Sequence, residues 1–198
     1  IIPTNGDPEL RENIAERYCR KKDEVLLTCG TQEANFLAFV SILSEDDHSI
    51  TVTPTYQALH SVPDAFGDNT TVELKPPDWK LDVDEIKENI RDETELVVLN
   101  NPNNPTGRYH PLKKVEELYK ISEENDIYLL CDEVYRLLSR EPIPPVASMG
   151  DHGLSTTSLT KSYGLAGTRL GWLVGSEEVI EKAWQWKDYT TISPSIMG

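Results

Sequence analysis

Residues 111–135 read PLKKVEELYKISEENDIYLLCDEVY. Pro111 suits the start of a helix, where a missing N–H leaves nothing unpaired. The pattern predicts a helix from Pro111 to about Asn125. Ile127 to Cys131 is a short apolar run that predicts a strand, and Asp132-Glu133-Val134-Tyr135 ends it. A strand this apolar is covered on both faces, as in parallel sheets flanked by helices.

The same alternation continues on both sides. Upstream, Asp7-Pro8-Glu9 opens a helix to about Arg20, and Val25 to Thr28 reads as a strand. Thr31 to Leu43 is an apolar helix whose Phe36 and Phe39 are expected to be buried. Ser49 to Thr53 and Thr71 to Leu74 predict short strands, the first broken by Pro54. Asp82 caps a helix running through Ile90, and Glu95 to Leu99 is a buried strand. Downstream, Thr156 to Leu159 and Leu170 to Val174 predict two more strands, and Glu177 to Asp188 a helix. Strands alternating with helices predict an α/β, three-layer sandwich around a mainly parallel central sheet. No internal repeat or low-complexity linker divides residues 1–198, and Pro142, Pro144 and Pro145 mark a loop.

The chain has 198 residues, 38% of them hydrophobic and 27% charged, which excludes disorder and collagen-like repeats. Acidic residues number 34 against 19 Lys and Arg, for a net charge of −15. That field argues against nucleic acid or an anionic membrane as a partner, and an anionic ligand needs a local basic pocket. Cys19, Cys29 and Cys131 form no CxxC pair, and the four histidines show no metal spacing. No apolar stretch approaches a membrane span and no signal peptide is visible, so a cytoplasmic location is expected. The opening Ile1-Ile2-Pro3-Thr4 and the stop at Gly198 point to a fragment of a longer protein.

In sheets of this kind ligands bind beyond the carboxyl ends of the strands. Gly30-Thr31-Gln32 joins a strand to a helix, where free N–H groups form an anion site. Taken alone, a tight turn is the favoured explanation. Asn100 to Gly107 carries four asparagines and two prolines. It is a rigid polar loop able to offer an amide donor, or a plain loop. Asp132 at the end of a buried strand requires a partner. A cationic ring nitrogen fits, and so does an arginine in a structural ion pair. Lys161 follows a strand directly; burial there would favour the neutral amine that Schiff-base chemistry uses. Read in isolation it is better explained as a surface lysine at a loop, and a loop at the sheet edge is where it is expected. Arg169 suits bidentate contact with a phosphate.

Taken together, Asn101–Gly107 (NPNNPTG), Asp132–Arg136 (DEVYR) and Ser158–Trp172 (SLTKSYGLAGTRLGW) resemble the fold-type I pyridoxal-phosphate enzymes. The branch is that of class I/II aminotransferases related to aspartate aminotransferase. The likeness runs from Gly6-Asp7-Pro8-Glu9-Leu10-Arg11 to Tyr189-Thr190-Thr191-Ile192-Ser193. It implies the large cofactor-binding domain, pyridoxal 5'-phosphate as cofactor, and amino-acid and 2-oxo-acid substrates. It further implies Lys161 as the Schiff-base lysine, Asp132 as partner of the pyridinium nitrogen, and Asn104 and Tyr135 as donors to the phenolic oxygen. Tyr56 is placed as the stacking aromatic, with Gly30, Thr31, Gln32, Ser158 and Arg169 around the phosphate. The family's N-terminal arm and C-terminal small domain are not matched in this chain, and neither are the substrate-carboxylate arginine and partner-subunit tyrosine. A homodimer is expected for the full-length protein.

Three competing readings exist. Ser158-x-x-Lys161 matches the S-x-x-K of serine acyl-transfer enzymes, but their SDN and KTG partners are absent from the sequence. An aminotransferase-like sensor domain would be non-catalytic. Lyases and racemases share the fold, and Tyr135 with Asn104-Pro105-Thr106-Gly107 resembles the transaminating branch.

Overall fold

The structure, a computed structural model, describes residues 3–194. Helix α1 (Pro8–Arg17) starts where Asp7 accepts from the Leu10 N–H at 2.9 Å. Strand β1 (Val25–Thr28) leads through Gly30 into α2 (Thr31–Ile42), followed by β2 (His48–Thr53). Short helices α3 (Gln57–Ser61) and α4 (Pro63–Phe66) precede β3 (Asp68–Glu73). Next come α5 (Val83–Glu88), β4 (Thr94–Asn100), α6 (Leu112–Glu124), β5 (Tyr128–Asp132) and β6 (Gly153–Ser158). A single helical turn, α7 (Leu159–Ser162), separates β6 from β7 (Gly171–Val174), and α8 (Glu177–Lys187) follows.

The strands form one 7-stranded sheet in the order β1-β7-β6-β5-β4-β2-β3. All pairs are parallel except those of β7, which is antiparallel to both β1 and β6. Strands β1 to β6 therefore run the same way, and their carboxyl ends lie along one edge.

Side chains alternate between faces, with the period of two that a strand imposes. Val97, Leu99, Leu129 and Cys131 pack with Val115 and Leu118 of α6 and Val83 and Ile86 of α5. Leu96, Val98 and Leu130 pack on the opposite side with Leu37 and Phe39 of α2 and Val179 and Ile180 of α8. Helix α1 covers β1 through Ile14, Ala15, Val25 and Leu27. The result is the α/β sandwich expected from sequence, with a mixed, mainly parallel sheet.

Several boundaries differ from expectation for identifiable reasons. Strand β3 begins at Asp68, not Thr71, because its backbone pairs with β2 from His48↔Asp68 onward, while its polar Asn69 and Thr70 hydrogen-bond Ser49, Thr51 and His48 of β2 in place of an apolar pattern. Strand β6 spans Gly153–Ser158 rather than Thr156–Leu159, since Ser155, Thr156 and Thr157 are buried polar residues that conceal a core strand. Lys161, expected in a loop, lies in the one-turn helix α7, capped by Ser158. The two short helices α3 and α4 lack a periodic apolar face long enough to read. Phe39 is buried, but Phe36 is exposed on the flank of α2 and is met mainly by Phe66, with ring centroids 6.1 Å apart. No helix among the described residues is long and apolar enough to cross a membrane.

Gly171 is the tightest point of the sheet near this edge. A Cβ there would lie 2.5 Å from the Gly30 carbonyl carbon and 2.8 Å from the Thr157 oxygen, both backbone atoms. Strand β7 can fit between β1 and β6 at this level only without a side chain. Gly171→Ala is expected to lower stability by about 1–3 kcal/mol, the usual effect of overpacking. Urea unfolding midpoints of the variant and the parent chain measure it.

Candidate active site

A cleft of about 240 Å3 opens at the carboxyl edge of the sheet. Its walls include Thr31, Gln32, Tyr56, Asn104, Asp132, Tyr135, Ser158, Lys161 and Arg169, which the sequence distributes over five separate segments. Gly30 does not line it but caps α2 beside it. Asn100, Val134 and Thr160 also line the cleft, each within a segment picked out in the sequence but given no role there, and so does Asn35, which the sequence reading passed over. For Asn35 a signal existed: it is a lone amide within the apolar run Ala34-Asn35-Phe36-Leu37-Ala38-Phe39.

One end of the cleft is built for an anion. Gly30 adopts φ 84°, outside the range most residues accept, and brings no side chain to cap the first N–H groups of α2. Its bare α-carbon admits Arg169, whose Nη2 would lie 2.6 Å from a Cβ at that position. Arg169 itself takes the left-handed conformation, φ 53°, and donates from Nη1 to the Ala166 carbonyl at 3.1 Å. Thr31 Oγ1 is buried without a hydrogen-bond partner, and Ser158 is buried at the cap of α7. An open helix start, two hydroxyls and a guanidinium converge, which supplies the basic pocket that a chain of net charge −15 needs.

The other end is acidic. Asp132 is 4% exposed, and burial pushes its carboxyl upward, while hydrogen bonds from Asn35 and Val134 pull it down. Asn35 Nδ2 donates to its Oδ2 at 2.9 Å and the Val134 N–H to its Oδ1 at 3.1 Å. Among the described residues no arginine or lysine forms an ion pair with it. The neighbouring Glu133 takes Arg136 instead, at 3.3 Å, with further donors from the Val146 N–H at 2.7 Å and Ser155 Oγ at 3.0 Å. The structural ion pair considered for Asp132 thus belongs to the next residue.

Between the two ends stands Lys161. It is exposed, so the protein around it does not supply the burial expected from its place after a strand. Its Nζ lies 6.0 Å from the centroid of the Tyr135 ring. Ser162 Oγ donates to the Val134 carbonyl at 3.1 Å and so ties α7 to the loop that carries Asp132 and Tyr135. Tyr56, at the start of α3, is 48% exposed and forms a side wall.

The asparagine-rich loop divides its labour. Asn100 Nδ2 donates to the Asp132 carbonyl at 2.9 Å, and its Oδ1 accepts from the Asn104 N–H at 2.7 Å. Asn101 exchanges two hydrogen bonds with the His110 backbone, and Asn103 bonds Pro54 and Thr106. Three amides hold the loop. The side chain of Asn104 makes no hydrogen bond among the described residues and faces the cleft.

Residues 1–197 match the family model described as aminotransferase class I and II. The chain belongs to the class I and II aminotransferases. It is 32% identical to the aspartate/prephenate aminotransferase of Thermus thermophilus over 99% of its own length and 54% of that protein. It is also 32% identical to the capreomycidine synthase of Streptomyces vinaceus, covering 98% of this chain and 51% of the relative. A solved PLP-dependent aminotransferase of Streptococcus suis superposes with a TM-score of 0.92 at 32% identity, over 98% of this chain and 52% of that one. This member of the family therefore spans about half the length of the relatives it matches.

Glu133 makes a testable electrostatic claim. Burial pushes its carboxyl up to about 7, against the opposing pull of Arg136. A carboxyl raised in the folded state binds more protons there than in the unfolded chain, so stability falls as pH rises from the ordinary glutamate range toward 7. Glu133→Gln removes that titration. The melting temperature of the variant relative to the parent is expected to rise between pH 5 and pH 8; a constant difference would contradict the claim.

Proposed function

We propose that the protein to which this chain belongs transfers an amino group between an amino acid and a 2-oxo acid, with pyridoxal 5'-phosphate as its cofactor. The observation that carries this reading is Asp132, a buried carboxylate with no cationic side chain paired to it among the described residues, in the same cleft as an amine and an open helix start. A ligand with a cationic ring nitrogen at one end and a phosphate at the other satisfies both ends at once. The unpartnered hydroxyl of Thr31 supports the fit at the phosphate end.

When bound, the cofactor supplies an aldehyde carbon for an amine and a ring that accepts electron density from the substrate Cα. The residues of this chain do the rest. The N–H groups of Thr31 and Gln32, the Ser158 hydroxyl and the Arg169 guanidinium hold the phosphate. Asp132 would hold a proton on the ring nitrogen. Asn104 and Tyr135 would be the donors to the phenolic oxygen, and Tyr56 the aromatic wall beside the ring. Lys161 would be the covalent anchor and, when its amine is free, its Nζ would carry the proton from the substrate Cα.

The substrate-carboxylate arginine and the partner-subunit tyrosine are assigned to the part of the protein outside this chain, in which residues 1–198 are the large domain. The full-length protein is a homodimer in this reading; exposed Leu138, Tyr163 and Leu165 near the cleft support a further surface packed there. The unpaired thiols of Cys19, Cys29 and Cys131 support a cytoplasmic location. Lyases and racemases of the same fold are the competing reading. Transamination differs in leaving the cofactor aminated after one amino acid has reacted, which a half-reaction with a panel of amino acids detects.

Lys161→Ala is expected to abolish amino transfer, measured as 2-oxo acid formed, while the cofactor still binds through its phosphate. Borohydride reduction should link cofactor to the parent protein and not to the variant, as read by mass. Asp132→Asn keeps shape and hydrogen bonding but removes the charge. Its single-turnover rate should fall about a thousandfold or more, as a loss of roughly 4 kcal/mol gives, with little change in melting temperature. A variant that reacts at the parent's rate would remove Asp132 from the chemistry.

A further inference from the structure

Asn35 is a polar side chain in the second turn of α2, 1% exposed, on a helix whose other buried residues are Ala34, Leu37, Ala38 and Phe39. A buried amide at that place needs all its hydrogen bonds met, and the sequence could have placed another apolar residue there. Its Nδ2 donates to Asp132 Oδ2 at 2.9 Å. Its Oδ1 accepts from the hydroxyl of Thr156, the residue paired with Asp132 in the neighbouring strand. An amide turned the other way would set oxygen against carboxylate. The Thr156 hydroxyl occupies the amide oxygen and so fixes the NH2 group on Asp132.

We propose that Asn35, oriented by Thr156, is a positioning residue that keeps the Asp132 carboxylate charged and aimed at the cofactor's ring nitrogen. This rests on the pyridoxal-phosphate reading above. Asn35 follows Thr31 by four residues, so both lie on one face of α2, about 6 Å apart along its axis. One rigid helix then sets the phosphate end and the ring-nitrogen end of the cleft relative to each other. The other ionisable groups near Asp132 are engaged elsewhere: Glu133 turns to Arg136, Val146 and Ser155, the Cys131 thiol is buried in the core, and Lys161 lies beside Tyr135. Among side chains, the Asn35 amide is therefore the donor to Asp132, joined only by the Val134 N–H.

The test uses the cofactor-loaded full-length protein with Asn35→Leu, Thr156→Val and Asp132→Asn, alone and combined. Without its amide donor Asp132 takes up a proton, and the ring nitrogen loses its counter-charge. The ring then draws less electron density, and Lys161 Nζ holds its proton to higher pH. The pH midpoint of the bound cofactor's visible absorbance should rise by about one unit in Asn35→Leu, a tenfold change in proton affinity. Thr156→Val should shift it the same way by less. In the Asp132→Asn background, Asn35→Leu should add almost nothing, since the two act through one group. An unchanged midpoint in folded Asn35→Leu overturns the inference, as does an equal shift in both backgrounds. If Asn35→Leu fails to fold, Thr156→Val decides: a midpoint identical to the parent's overturns the inference. A parent protein that takes up no cofactor and gains no mass on borohydride reduction defeats the cofactor reading itself; parent loading with indifferent Asn35 and Thr156 variants defeats only the positioning role.

Discussion

Parallel pairing of β4, β5 and β6 aligns Asn100 with Asp132, and Asp132 with Thr156, at the last rung of three neighbouring strands. Everything at the cleft follows from that rung. Each of these residues ends or nearly ends a buried strand, and the backbone pairing continues one step further: the Asn101 N–H donates to the Asp132 carbonyl at 3.1 Å and the Glu133 N–H to the Thr156 carbonyl at 2.8 Å. Side chains add to these bonds, Asn100 to the Asp132 carbonyl and the Asn104 N–H, and Thr156 to Asn35. Strand β7 enters the other way between β1 and β6, and its first residue, Gly171, pairs with both Thr28 and Ser158. The chain thereby delivers Arg169 to the same edge from the opposite direction.

Helix α2 is the second organising element. Its apolar sides are sandwiched between the sheet and α8, so its axis is fixed by packing alone. What it presents at its amino end is then set by residue spacing. Thr31 and Gln32 face the cleft, and Asn35 reaches Asp132. Glu33, in the first turn, turns away and accepts from the Cys29 N–H, Thr190 and Thr191, with Lys187 at 3.4 Å. Burial pushes this carboxyl up, and those hydrogen bonds more than offset it, holding it below its ordinary range. Lys187, wholly buried at the end of α8, also donates to Thr191 Oγ1 at 2.8 Å. The start of α2 and the chain after α8 are thus locked together by a buried charged network, in which breaking one partner leaves another uncompensated.

The charge distribution fits an anionic ligand despite the acidic whole. Several carboxylates sit in exposed pairs, such as Glu178 with Lys182 and Glu117 with Lys114, which contribute little to stability. The cleft collects Lys161 and Arg169 instead. Two adjacent buried acids serve opposite purposes. Glu133 is paired with Arg136, whereas among the described residues Asp132 is held by neutral donors, the Asn35 amide and the Val134 N–H.

Much of this was legible in the sequence. Val25–Thr28 was readable to the residue, and β4, β5, β7, α6 and α8 to within one or two, because period-two and helical apolar patterns are local consequences of burying one face. Asp132 stood out because a carboxylate ending a buried strand is expensive without a partner, and Lys161 and Arg169 stood out through the motif Ser158–Trp172 that carries the family resemblance. Other features were decided only by tertiary structure. Strand β6 is polar in composition and became a core strand because β5 and β7 pair with it on both sides. Asp132 and Glu133 are chemically alike and adjacent; alternation along the chain sends one to the cleft and the other to Arg136, and no local signal says which. Asn35 lies 97 residues from Asp132. Their contact exists because α2 is pressed on the sheet by apolar packing, a constraint that belongs to the assembled layers and not to either segment.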